Sequence, residues 1–384
     1  MEFDFDAAID RSGSDSVKWA KYAGRDVIPL WVADMDFAAP PAVVEALRER
    51  VAHGVFGYNT PTRAQAEAVV GYLARQLGWA IDPEWIVWLP GLVSGLNVAC
   101  RAVGEPGDAV FTATPIYPPF LTAPADSARR VVSAPLVRDS TGWLWDFAAV
   151  DAVLRGSRPR LFQLCHPHNP TGRVWSEDEL WQLAALAEKH DLVVCSDEIH
   201  SGLVLDPGRR HRVFAALAPE VAARTITLMA PSKTFNIPGL GCAFAVISHA
   251  PLRRAFRRAL HGIVPHVNAL GMAACEAALT RCDDWQAALL AYLRGNARAV
   301  ERAVAGLPGL DMRPIEATYL AWIDARDFAA DRGIEDVARY FEQRGLGLSD
   351  GAEFGAPGFL RLNFGTRKAL LEEALERFAA AVKA

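Results

Sequence analysis

The sequence has no C-x-x-C pair among its six cysteines and no apolar run near the ~20 residues needed to span a bilayer. Cys100, Cys165, Cys195, Cys242, Cys275 and Cys282 are dispersed, most of them in apolar stretches. Buried thiols in a reducing compartment are therefore expected, with neither a disulfide framework nor a metal site. The start, Met1-Glu-Phe-Asp-Phe-Asp6, lacks the basic segment and apolar stretch of a signal peptide. A cytoplasmic location follows as the expectation. Neither sign of charge dominates: 45 acidic residues face 40 basic ones, for a formal charge of −5. No basic excess favours nucleic acid or an anionic membrane, so the expected partner is a small molecule. Internal repeats and low-complexity blocks are also missing.

What is present is alternation. Between about Pro90 and Leu260, short apolar runs alternate with amphipathic stretches. Gly91–Val103 reads as a helix. Ala109–Thr114 and Leu161–Cys165 read as strands. Ser176–His190 carries Ser176 as N-cap and Glu179 three positions on, a capping box ahead of Leu180, Leu183 and Leu186. Leu192–Ser196 is a continuous apolar run of the kind buried on both faces of a parallel sheet, and Thr225–Met229 and Cys242–Ile247 look similar. Strands alternating with helices predict an α/β fold, a mainly parallel central sheet covered on both sides. After Pro265 a long helical segment runs through Ala269–Leu279 to Val304. Strand candidates follow at Tyr319–Ile323 and Leu360–Phe364, and a final helix from about Lys368 to Val382. The expected organisation is an N-terminal arm over 1–35, a large α/β domain over 36–265, and a linking helix with a smaller C-terminal α+β domain over 266–384.

In open α/β sheets ligands bind beyond the carboxyl ends of the strands. Polar clusters stand at several such points: Gly91–Gly95, Thr114–Tyr117, His166–Gly172, Asp197–His200 and Ser232–Asn236. Lys233 has no charged neighbour in sequence, and desolvation would lower its pKa and suit it to Schiff-base chemistry. A surface lysine in a loop is the plainer alternative. Asp197 ends a strongly apolar strand and needs a partner, which a pyridinium N–H would supply; an Asp capping a turn is the competing reading. Asn169 lies in a turn signature and has amide chemistry suited to a phenolic oxygen. Gly91–Ser94 opens a helix and so offers free backbone N–H groups to a phosphate. Tyr117 is either a stacking partner for a flat heteroaromatic ring or a half-buried core tyrosine.

Taken in order, these segments resemble the fold-type I pyridoxal-phosphate (PLP) enzymes of the class I/II aminotransferase superfamily. More narrowly, the chain resembles the MalY/PatB-like cystathionine β-lyase (C–S lyase) subfamily. The resemblance extends over essentially the whole chain. It includes Asp10-Arg11, Ser16-Val-Lys-Trp19, Ile28–Phe37, Gly57-Tyr58, Pro90-Gly91, Tyr117–Phe120, Pro167–Trp175, Ser196–His200, Pro231–Asn236, Thr318–Trp322 and Arg361–Phe364. The resemblance implies that Lys233 binds PLP as the Schiff-base lysine and that Asp197 pairs with the pyridine nitrogen. It places Asn169 and His200 at the phenolic oxygen and Tyr117 against the ring. Leu92 and Val93 amides, Ser232, and Tyr58 from a second subunit would hold the phosphate. Tyr58 joins Lys233 and Asp197 in the catalytic set, and a homodimer is expected for that reason. Arg361, with Asn169 and Ala33, would take the carboxylate of an amino-acid substrate. Three positions depart from the common pattern: Gly241 in place of a phosphate-binding arginine, Ala230 in place of a serine, and His166 in place of an asparagine.

The activity so implied is α,β-elimination of L-cystathionine or a related L-cysteine S-conjugate to a thiol, pyruvate and ammonia. An aminotransferase would use the same residues, and some members of the subfamily have regulatory roles. Which thioether is the substrate depends on pocket shape that motifs do not encode.

Overall fold

The computed structural model describes residues 3–384, so the first two positions of the expected N-terminal arm lie outside the described residues. A seven-stranded sheet forms the centre. In chain order its strands are β1 (Ile86–Leu89), β2 (Ala109–Thr114), β3 (Arg130–Pro135), β4 (Leu161–Cys165), β5 (Val193–Asp197), β6 (Thr225–Met229) and β7 (Ala243–Val246). They lie side by side as β1-β7-β6-β5-β4-β2-β3. β6, β5, β4, β2 and β3 are mutually parallel. β4 and β6 are buried along their whole length, which explains their unbroken apolar sequences.

One expectation needs correction. Cys242–Ile247 does not continue the parallel set: β7 runs antiparallel to both neighbours, pairing Phe244 with Met229 and with Trp88. A parallel return would need a crossover of a dozen or more residues, usually with a helix. The chain between β6 and β7 holds a loop and the short turn Pro238–Leu240 with no crossover helix, and the next strand reverses.

Helices cover the sheet. α1 (Pro41–Ala52) and α2 (Arg63–Leu77) precede it, and α3 (Leu92–Ala102) follows β1. Gly95 lets α3 approach closely, since a Cβ there would sit 3.0 Å from the Leu228 methyls. α4 (Glu177–Lys189) has the expected capping box, with Ser176 and Glu179 each satisfying the other's backbone amide. Removing such a cap costs about 1 kcal/mol. Leu180 and Leu183 on its inner face are fully buried, each stabilising the fold by roughly 1.5–3 kcal/mol. The long helical segment after Pro265 is two helices, α5 (Ala269–Arg281) and α6 (Asp283–Ala305), broken at Cys282. α5 packs on α1 and α2.

A second, antiparallel sheet has the order β8-β9-β11-β10, from β8 (Asp311–Met312), β9 (Leu320–Asp324), β10 (Ser349–Asp350) and β11 (Phe359–Asn363). α7 (Lys368–Lys383) packs against α6. The arm is tied to this unit: Ile28–Pro29 pairs in parallel with Leu346–Gly347. The largest apolar cluster is continuous from Phe5 to Val382. All six cysteines are buried and unpaired. Among the described residues no helix is long and apolar enough to cross a membrane.

Candidate active site

The polar clusters converge as the strand-end argument requires. β2, β4, β5 and β6 end on the same side of the sheet, and the segments that leave them carry Tyr117, Asn169, Asp197 and Lys233. These four line one cavity of about 240 Å³, together with Leu92, Val93, His200, Ser232, Ala33 and Arg361. A larger, more open groove of about 790 Å³, lined by Arg75, Arg210 and Gln286, gathers none of the expected residues. Volume is a poorer guide here than chemistry.

Lys233 follows β6 in a loop held at Phe235 N and Ile237 N by backbone bonds to Pro231 and Ser232. Its amine donates to the Ala33 carbonyl at 2.6 Å. Burial of that amine, aided by the nearby Arg361 guanidinium, lowers its pKa to about 8, against weaker opposing pulls from Asp34 and Asp197. Asp197 is the last residue of β5 and is 5% exposed. Among the described residues its carboxylate accepts one hydrogen bond, from the Ile199 amide at 3.1 Å. Burial with so little compensation pushes the carboxyl up to about 7. An N–H donor or a cation facing it would pull it back down.

His200 is buried, its Nδ1 has no hydrogen-bond partner, and burial drives its pKa down to about 3, so the ring is neutral at pH 7. Asn169 accepts a bond from Arg361 Nη1 at 3.2 Å. Its carbonyl takes the Tyr117 amide, which joins the loops after β4 and β2. Tyr117 is half-buried and lines the cavity.

Arg361 sits in the middle of β11 and is 5% exposed. Nη2 donates to the Trp31 carbonyl at 2.9 Å and to Ser349 Oγ at 3.3 Å, and the guanidinium lies over the Phe354 ring. Nε has no partner, and among the described residues no carboxylate lies within ion-pair distance. Burial accordingly lowers its pKa. A buried guanidinium without a counter-ion is costly unless a ligand supplies one, and a carboxylate matches its fork of donors.

Leu92 and Val93 open α3, where the first amides have no partner within the helix. Ser232 lies across from them on the same cavity. This is an anion-binding arrangement. Gly241 also lines it, in a left-handed conformation with φ 58°, and a Cβ there would meet the Pro90 carbonyl at 3.4 Å. The backbone itself thus disfavours an arginine at that position. Tyr58 is the expected residue that the subunit does not bring to the cavity: it is fully exposed, beside exposed Val55 and Phe56.

Sequence reasoning did not single out Trp31, Tyr319 or Ser349. The Trp31 carbonyl and Ser349 Oγ support Arg361, and the Tyr319 hydroxyl donates to the same Ala33 carbonyl as Lys233, at 3.0 Å. The main-chain carbonyls carry no residue-specific signal.

A mainly parallel, doubly covered sheet with a depressed lysine, an elevated aspartate and an unpaired arginine in one strand-end cavity defines an α/β protein built for small charged molecules. The chain belongs to the aminotransferase class I and II family, whose model matches residues 25–378. It is 37% identical to the cystathionine β-lyase PatB of Bacillus subtilis strain 168 over 389 residues, covering 98% of this chain and 99% of that protein. Among solved structures it is similar to OvoB, with a TM-score of 0.96, 46% identity and full coverage of both chains. It also resembles the PLP-bound C–S lyase of Staphylococcus hominis, with a TM-score of 0.94 and 30% identity, covering 100% of this chain and 99% of that one.

Proposed function

We propose that this protein is a PLP-dependent carbon–sulfur β-lyase that converts L-cystathionine, or a related L-cysteine S-conjugate, and water into a thiol, pyruvate and ammonia. The observation that carries the reading is the meeting of Lys233, Asp197 and a counter-ion-free Arg361 on one cavity. The residues fit the cofactor: an elevated carboxyl for the ring nitrogen, an unpartnered His200 Nδ1, and free helix-start amides for the phosphate. When bound, PLP supplies the electron sink for carbanion chemistry.

The chain's own groups do the rest. Lys233 would hold the cofactor, and its free amine would take the substrate's Cα proton; a pKa of about 8 leaves part of it neutral at physiological pH. Asp197 would keep the ring nitrogen protonated. Asn169 and His200 would stand by the phenolic oxygen, and Tyr117 would stack on the ring. Leu92 and Val93 amides with Ser232 would hold the phosphate, since Gly241 and Ala230 offer no side-chain donor. Arg361, Asn169 and Ala33 bind the substrate carboxylate.

The family model also covers aminotransferases, which return a proton to the cofactor in place of expelling a leaving group. The holoenzyme supplied with cystathionine and no keto-acid acceptor is expected to release pyruvate and homocysteine in equal amounts. Strict dependence on 2-oxoglutarate would sink the lyase reading in favour of transamination.

The proposed assembly is a homodimer with Tyr58 completing the partner's phosphate site. Its full exposure next to Val55 and Phe56 supports this. Sedimentation should give twice the subunit mass of 41.7 kDa; a fully active single subunit would overturn it. The reading also divides the chain into an arm over 1–35, a PLP-binding domain over 36–265 that holds the seven-stranded sheet, and a small domain over 266–384 that holds the four-stranded one. The proposed location is the cytoplasm, where six unpaired thiols stay reduced.

A further inference from the structure

Two segments picked out in the sequence, Asp10-Arg11 with Ser16-Val-Lys-Trp19 and the acidic end of Ile28–Phe37, have no part in the chemistry above. The fold brings them together. Lys18 is 0% exposed, a costly place for a charge unless it is paired. Its amine donates to Asp36 Oδ2 at 2.8 Å and to the Asp34 carbonyl at 3.3 Å, with Asp34 Oδ1 at 3.8 Å. Arg11 reaches the same two carboxylates, Asp34 at 2.8 Å and Asp36 at 2.7 Å. The Trp19 indole N–H adds a bond to Asp36 at 3.0 Å, and Ser16 Oγ accepts one from Arg11 at 2.9 Å. Two cations balance two carboxylates in a directional cluster.

The other edge of the same 31–36 segment faces the cavity. The Ala33 carbonyl receives Lys233 and Tyr319, and the Trp31 carbonyl receives Arg361 and Ser349. Asn236, three residues past Lys233, exchanges bonds with the Met35 backbone at 2.9 Å each way. Asn363, two residues past Arg361, donates to the Val32 and Asp34 carbonyls at 2.7 and 2.6 Å. The segment is a strap: ions fix one edge, and its carbonyls meet the lysine and the arginine with the other.

We propose that Lys18 and Arg11 are positioning residues, whose ion cluster with Asp34 and Asp36 holds this strap in register over Lys233 and Arg361. Apolar residues would fill the same space at equal or greater stability, so what the charges add is a fixed geometry. The role rests on the proposed function; the strap itself does not.

The test uses Lys18→Met, which keeps most of the side-chain volume and removes the charge. Arg11→Gln, at a partly exposed position, decides the matter if the first variant does not fold. In the holoenzyme, exchange of the Asp34, Met35 and Asp36 amides, bonded to Val32, Asn236 and Gly365, is expected to speed up. The increase should be about tenfold, with KM for a cysteine conjugate rising about tenfold, inside the ~10²-fold that a small misplacement away from the chemistry can cost. The fall in kcat should stay within about threefold, the signature of weakened ground-state binding, and the near-visible absorption of bound cofactor should persist. Unchanged exchange, or faster exchange with KM unmoved, overturns the role. If the wild-type protein takes up no PLP, the functional reading fails and takes this role with it. If it binds PLP and transaminates instead, the same KM comparison on that substrate decides the strap alone.

Discussion

Replacing Lys233 by alanine is expected to remove the near-visible absorption band of the holoenzyme and to lower turnover by on the order of 10²–10⁴-fold, the span of general acid–base contributions. Both effects have one source. Among the described residues Lys233 is the single lysine lining the cavity, and its amine is held by the Ala33 carbonyl at 2.6 Å. The variant loses the covalent anchor and the proton carrier together, while its fold loses only a loop side chain. The pH dependence gives a second check. A base whose pKa falls from 10.5 to about 8 becomes neutral, and so nucleophilic, above the lower value. Labelling of Lys233 by an amine-directed reagent in the cofactor-free protein should rise through pH 8 and level off, instead of climbing towards pH 10.5. Retention of the absorption band in Lys233→Ala would refute the assignment outright.

Asp197→Ala is expected to leave the fold intact, by circular dichroism, and to cut turnover at saturating cofactor by about 10²–10³-fold, comparable to removing one preorganised electrostatic partner. At 1.36 kcal/mol per decade that is about 3–4 kcal/mol of transition-state stabilisation. The carboxyl sits buried at the end of β5 with one amide donor, and burial holds it near 7. Facing a protonated ring nitrogen it would ionise, and the pair would then keep the ring electron-poor as negative charge develops. The methyl group of alanine does neither. Turnover equal to wild type would place ring protonation with some other group.

Much of this was readable beforehand, and for physical reasons. The runs Ala109–Thr114, Leu161–Cys165 and Thr225–Met229 coincide with strands because a strand buried on both faces tolerates few polar residues. Ser176 and Glu179 marked a helix start because orphan amides need partners. The direction of β7 was not readable, because an apolar run encodes burial and not strand direction. α1 and α2 escaped notice because their buried faces are small, Val43 in α1 and Ala68, Val69, Tyr72 and Leu73 in α2, so the apolar stripe is short. In the site, Lys233, Asp197 and Asn169 stood out as charged or polar residues just beyond apolar runs, and Arg361 came only through the resemblance to the lyase subfamily. Trp31 and Ala33 act through carbonyls that every residue possesses, so only the folded chain reveals their contacts with Arg361 and Lys233.

The reversal of β7 also determines where added length is tolerated. The chain from Ala230 to Gly241 leaves one central strand and must rejoin its immediate neighbour, about 4.8 Å away. Extra residues there would displace Ser232, Lys233 and Gly241, which line the cavity. The exposed turn around Gly208 has solvent to swell into. Insertional variation belongs at the second place, and the lysine-bearing connection should hold a fixed length.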